Sequence, residues 1–146
     1  MKKGSVILTA IAVILCMIIL VGISIFAPFI ADWFAEVRDI GENVKNVILT
    51  AFYICSLPAL CSLICLLRIL SNIWRDEPFK NENPRLMSIV SYCCLAVAAA
   101  TIWAGFYYMP MFLVSAAMLF VLLIVRVVRA CFISAMHIAE ENSLTI

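Results

Sequence analysis

The side chains in this chain that could do chemistry are few, and most are thiols. Seven cysteines stand at Cys16, Cys55, Cys61, Cys65, Cys93, Cys94 and Cys131, all inside apolar runs. Disulfide exchange needs a thiolate that an outside partner can attack, which would suit a quinone-coupled disulfide-forming membrane protein. No cysteine falls in the loop that would face the oxidising side, so these thiols read as small polarisable hydrophobes. Zinc asks for about four ligands at suitable spacing. Cys61 and Cys65 lie one helical turn apart, but His137 is the only histidine, so no metal and no cofactor is expected. No base stands near a nucleophile, and no acidic residue lies well inside an apolar run, where proton-coupled transport places one. Enzyme chemistry is not expected. Arg126 and Arg129 remain, close after the last apolar run, with Glu140 and Glu141 beyond them.

The elements that must position these groups are set by composition. Of 146 residues, 66% are hydrophobic and 13% charged, and the mean hydropathy is +1.16. Soluble domains hold roughly 45–50% apolar and about 25% charged residues, so the lipid bilayer is the solvent here. A net charge of +1 leaves no basic face for phosphate neutralisation, and direct nucleic-acid binding is not expected.

The expected fold is all-α: a polytopic membrane protein with four transmembrane helices in a single membrane domain over 1–146. Spans are predicted at 6–27, 47–70, 86–108 and 112–133. The first is too long for the apolar region of a secretory signal and long enough to cross, so it is read as uncleaved. Between the first two spans, Ile30, Trp33, Phe34, Val37, Ile40 and Val44 recur at helical spacing with charges between them. That predicts a separate outer amphipathic helix over 30–46, lying on the membrane and leading into the second span. Pro58 falls in the middle of the second span, where it frees a carbonyl near Ile54 that Ser56 and Ser62 could help satisfy. Asn83 before Pro84 predicts an N-cap with proline at the first helical position. In the third span, Ala96, Ala100 and Ala104 recur every four residues, a small-residue stripe suited to internal packing or to homo-oligomer contacts. Trp103, Phe106, Tyr107 and Tyr108 close that span as an aromatic belt. Met109, Pro110 and Met111 then leave room only for a tight hairpin.

Of the ten Lys and Arg residues, Arg38 and Lys45 alone fall on one side of this arrangement. Lys2, Lys3, Arg68, Arg75, Lys80, Arg85, Arg126 and Arg129 fall on the other. The positive-inside bias puts both termini, the loop over 71–85 and the tail over 134–146 in the cytosol. It also argues against a dual-topology dimer of the small multidrug transporter type. Arg68 and Arg126 are expected as interfacial anchors, or paired with Asp76, Glu77, Glu140 or Glu141 so as to tie loop to tail.

The loop and tail also carry a family resemblance. DEPFKNENPRLMSI resembles the PF-x-x-EN-x-x-x-L segment of the domain-of-unknown-function 2975 family of small bacterial four-span membrane proteins, through Pro78, Phe79, Glu82, Asn83 and Leu86. EENSLTI resembles that family's closing EN-D-L-T-[IV] signature through Glu141, Asn142, Leu144, Thr145 and Ile146, with Ser143 where the family has aspartate. The resemblance implies a bacterial cytoplasmic-membrane protein that accompanies a small helix-turn-helix transcription regulator. Both motifs, together with Arg126 from the charge pairing above, are read as a surface for partner binding or for loop–tail packing. The expected function is a non-catalytic regulatory or interaction protein working through loop and tail. The alternative is a small transporter, channel or immunity-type protein binding an apolar ligand between the spans.

Overall fold

The computed structural model describes residues 3–145, and all regular structure in them is helical. Helix α1 spans Lys3–Arg38, α2 Glu42–Trp74, α3 Glu82–Gly105 and α4 Met111–Leu144. Each contains a stretch long and apolar enough to cross a membrane, so the protein is a multi-pass membrane protein. At 1.5 Å per residue, α1 and α4 run about 50 Å, well beyond the ~30 Å of a hydrocarbon core. Helix α3 is ten residues shorter than α4.

The stretch over 30–46 does not form a helix of its own. Ile30–Arg38 is the last part of α1, and Glu42–Asn46 is the start of α2. The break is local. Asp39 takes a left-handed φ of 50°, and the Ile40 N–H donates to the Ala35 carbonyl at 3.1 Å, which closes α1 in a Schellman-type turn. Amphipathic spacing continues across this corner, because both flanking pieces are helical. It cannot reveal a three-residue reversal between them. Helix α2 ends the same way. Asp76 sits at φ 59°, and the Asp76 and Glu77 amides bond back to the Ile73 and Asn72 carbonyls.

The helices pack as an open row in chain order. Among the described residues, Cα atoms come within 8 Å between α1 and α2, α2 and α3, and α3 and α4, whereas α1 and α4 do not approach so closely. The arrangement is therefore not a closed four-helix ring. Helix α3 stands between two neighbours and holds most of the core, while α1 buries only Ala27 and α4 only Ser115. The exposed Leu, Ile, Val and Phe side chains of α1 and α4 face lipid, where exposure carries no hydrophobic penalty.

Two seams run along α3. Asn83, Val90, Val97 and Ala104 recur every seven residues and are all buried. On this seam Asn83 meets Asn72 of α2 and Val97 lies against Cys55 of α2. Ser91, Ala98 and Gly105 repeat the same spacing towards α4. The Ser115 hydroxyl donates to the Ala98 carbonyl at 3.4 Å, and a Cβ added to Gly105 would sit 3.0 Å from the Phe112 ring. Small residues let the backbones approach, as in other membrane helix pairs. The expected stripe of Ala96, Ala100 and Ala104 does not share one environment: Ala96 is exposed, Ala100 half-buried and Ala104 wholly buried.

Helix α2 continues through Pro58. The Ser56 and Ser62 hydroxyls donate to the Tyr53 and Ala59 carbonyls, not to the carbonyl of Ile54. Five residues, Phe106–Pro110, join α3 to α4, the tight hairpin expected. Tyr108 packs edge-on against Phe34 of α1 with ring centroids 6.1 Å apart.

Candidate functional site

The end of the molecule that holds the α2–α3 loop is tied together by polar contacts from α2, the loop, α3 and α4. Its centre is Asn83, the largest wholly buried side chain. The Asn72 amide donates to the Asn83 side-chain oxygen at 2.8 Å, and the Asn83 amide donates to the Pro78 carbonyl at 2.8 Å. Asn72, in the last turn of α2, is itself nearly fully buried. One side chain therefore links the end of α2, the middle of the loop and the start of α3. The first helical residue of α3 is Glu82, and Asn83 makes no capping bond. The expected N-cap role is replaced by this buried amide pair. Asn before Pro84 is a sound signal for a helix start, but it does not distinguish a cap from an interhelical bridge.

The rest of the loop leans on α4. The Phe79 ring lies 6.0 Å from that of Phe132, and the Arg129 Nε donates to the Pro84 carbonyl at 3.1 Å. The Ser88 hydroxyl donates to the same carbonyl. Leu86 packs against the cluster of Cys65, Val90 and Cys94 together with Met118, Leu122 and Val125. Pro78 is half-buried, while Phe79 and Glu82 keep outward-facing surface. The first motif is thus built into the fold.

The second is not. Glu141, Asn142, Leu144 and Thr145 are all exposed, Leu144 at 83%. Helix α4 carries them onward to Leu144, about 18 Å past Phe132 at 1.5 Å per residue. The Thr145 hydroxyl turns back onto the Glu141 carbonyl at 2.6 Å, and the Ser143 hydroxyl onto that of Glu140. Ile146 lies outside the described residues, as do Met1 and Lys2. The expected packing of tail on loop is absent among the described residues, because a continuous helix carries the tail away from the loop.

The expected pairing of Arg68 or Arg126 with an acid is not formed either. Among the described residues the ion pairs are Lys45–Asp32 at 2.8 Å and Lys80–Glu77 at 3.7 Å. The first joins α1 to α2 at the opposite end of the molecule. There the hydrogen bond to Asp32 raises the pKa of Lys45, with desolvation opposing it and the charges of Asp32 and Glu42 adding to it. Arg126 instead lines a polar recess of about 120 Å³ with Arg129, Ser88, Ser91 and Tyr92. Neither that recess nor Asn72 stands out in the sequence. The one available signal is polarity at helical spacing on the facing ends of α3 and α4.

Three larger clefts are mainly apolar, one of them, about 280 Å³, between the start of α1 and the end of α2 beside Trp74. Another, of about 260 Å³, lies beside Pro58, between Leu20, Phe52, Cys55, Cys93, Val97 and Met118. A third, about 250 Å³, lies between α1 and α2 under Tyr108. Among the described residues no group of three or more His, Cys, Asp or Glu could hold a metal ion.

No curated protein and no solved structure matches the chain. A family model described as protein of unknown function (DUF2975) matches residues 30–146, which takes in α2, α3, α4, the loop between α2 and α3 and the projecting tail. The chain belongs to that family.

Proposed function

We propose that this protein is a non-catalytic interaction protein of the bacterial cytoplasmic membrane. It holds a cytosolic protein, of which a helix-turn-helix regulator is the leading example, on the exposed extension of α4. The observation that carries this reading is the extension itself. Helix α4 outruns its neighbour α3 and presents Glu141, Asn142 and Leu144 as exposed side chains. An exposed leucine beside polar groups at a helix end is suited to helix-in-groove docking. Phe79 and Glu82 also keep exposed surface at the loop end of the molecule. The uneven distribution of Lys and Arg supports a cytosolic position for both.

The test is site-specific photo-crosslinking in cells, with the photoreactive residue at Leu144 of the full chain. For comparison it is placed at Leu113, which is 76% exposed near the hairpin end of α4. A discrete protein adduct at Leu144, lost with Asn142→Ala and absent at Leu113, supports the reading. Adducts to lipid alone at Leu144 overturn it. Orientation is checked by placing a cysteine at Ser143, which is expected to react with an impermeant maleimide only after the membrane is opened.

A second reading, binding of an apolar ligand between the helices, has the cleft beside Pro58 in its favour. Its lining offers only the hydroxyls of Ser56 and Ser62 and thiols as polar groups. A change in compound uptake or resistance caused by Ala59→Phe, with the Leu144 adduct unaffected, would favour it.

A further inference from the structure

We infer that the recess between α3 and α4 is a phosphate site occupied by the headgroup of an anionic phospholipid. Two guanidinium groups, Arg126 and Arg129, line it with no carboxylate in ion-pair contact among the described residues. The acids farther along α4, Glu140 and Glu141, are eleven or more residues past Arg129, about 17 Å along the helix. Arg129 commits its Nε to the Pro84 carbonyl, which fixes the guanidinium and leaves its terminal nitrogens as donors. Arg126 has no hydrogen bond to the rest of the protein among the described residues, so its whole donor fork is available. Planar guanidinium donors match phosphate oxygens in pairs.

The remaining walls are hydroxyls, each with a distinct role. Ser88 and Ser91 donate to the Pro84 and Met87 carbonyls, which leaves their oxygens free to accept at the recess they line. The Tyr92 hydroxyl is a further donor. Two uncompensated positive charges beside an apolar span are costly unless an anion or the interface takes them up.

Position selects a lipid over a free anion as the source of the phosphate. Arg129 is tied to the first turn of α3, and Ser88, Ser91 and Tyr92 lie about 6–12 Å farther along that helix. The recess thus leads from headgroup level into acyl-chain depth. Tyr92, 65% exposed, lies on its rim and opens it sideways to the bilayer. A phospholipid can enter by that route and keep its chains in the membrane. Basic pockets between membrane helices bind anionic headgroups in this manner. This site is independent of any protein docked on the tail.

The experiment uses the full chain in detergent micelles, titrated separately with dioleoylphosphatidylglycerol, dioleoylphosphatidylcholine and soluble glycerol 1-phosphate. Native mass spectrometry reads bound lipid and tryptophan fluorescence reads the thermal midpoint. One tightly held phosphatidylglycerol is expected, at least tenfold tighter than phosphatidylcholine, with no binding of glycerol 1-phosphate in the same range. Arg126→Gln is expected to weaken it about tenfold or more. Arg126→Lys, which keeps the charge but loses the fork, should fall between. Arg129→Gln also removes the bond to Pro84, so the Arg126 variants are the deciding ones, with helicity confirmed by circular dichroism. Arg85→Gln, an exposed charge at the same level, is expected to bind as the unaltered protein does. Equal loss on Arg85→Gln, or tight glycerol 1-phosphate binding without lipid binding, overturns the assignment.

Discussion

The loop between α2 and α3 and the tail of α4 carry the two segments on which the resemblance in sequence rests, and the fold treats them in opposite ways. The loop is a structural joint. Asn83 is wholly buried and bonded on both sides, Phe79 meets Phe132, and Arg129 reaches Pro84. Among the described residues, the tail hydroxyls bond only to their own helix. Within one chain, then, enclosed side chains serve the fold, and free ones are available to something outside it. Loss of stability should follow changes in the first, and loss of partner binding changes in the second.

The sharpest way to break that contrast is at Asn83. Replacing it with leucine leaves the Asn72 amide and the Pro78 carbonyl without their partner, and a buried group left unsatisfied costs about 1–3 kcal/mol. Asn83→Leu is expected to lower stability by about that much in denaturant titration of the micellar protein, and Asn72→Leu with it is expected to recover part. An undiminished stability for Asn83→Leu alone would remove the distinction between loop and tail. Gly105→Leu comes next. Its side chain meets the Phe112 ring from 3.0 Å outward, and overpacking of this kind costs about 1–3 kcal/mol. Gly105→Ala is expected to be milder, since that ring can shift by a few tenths of an ångström.

A smaller effect of opposite sign is expected at Asp76. Its φ of 59° is strained for an L-residue and free for glycine, so Asp76→Gly should stabilise the loop end by roughly 0.5–1 kcal/mol. On the tail, Asn142→Ala should change stability by less than about 0.5 kcal/mol while abolishing the Leu144 crosslink. The smallest effect belongs to the Lys45–Asp32 pair. Because the folded pKa of Lys45 is raised, its contribution is complete below the ordinary lysine value and is lost as pH rises through the raised one. Asp32→Asn is expected to flatten the alkaline limb of the stability profile, and an unchanged limb would show that this exposed pair contributes nothing there.

Four helices able to cross a membrane were legible because apolar length is a direct physical requirement of crossing a bilayer. The hairpin at Met109–Met111 was legible because it leaves no residues for a longer connection between two such runs. What stayed hidden depended on rotation about a helix axis or on a single dihedral. Alanines four residues apart drift by about 40° per step, so Ala96, Ala100 and Ala104 wind from lipid into the core. Residues seven apart drift by only about 20°, and that slower drift keeps Asn83, Val90, Val97 and Ala104 on one seam. The corner at Asp39 rests on one left-handed residue that is not glycine, which composition does not announce. The buried role of Asn83 was hidden because its partner, Asn72, reads as an ordinary polar residue at the end of an apolar run.

The open row of helices has a consequence for how the chain is made. Among the described residues, every close helix pair joins segments that are neighbours in sequence, so no helix pairing waits for a distant part of the chain to emerge. Low sequence separation between contacts favours rapid assembly. The α1–α2 hairpin can dock as soon as it leaves the ribosome, α3 can add to its exposed flank, and α4 can close over α3 last. The helix that finishes this sequence is the one that bears the free tail, so the tail emerges only after the other three helices have been made.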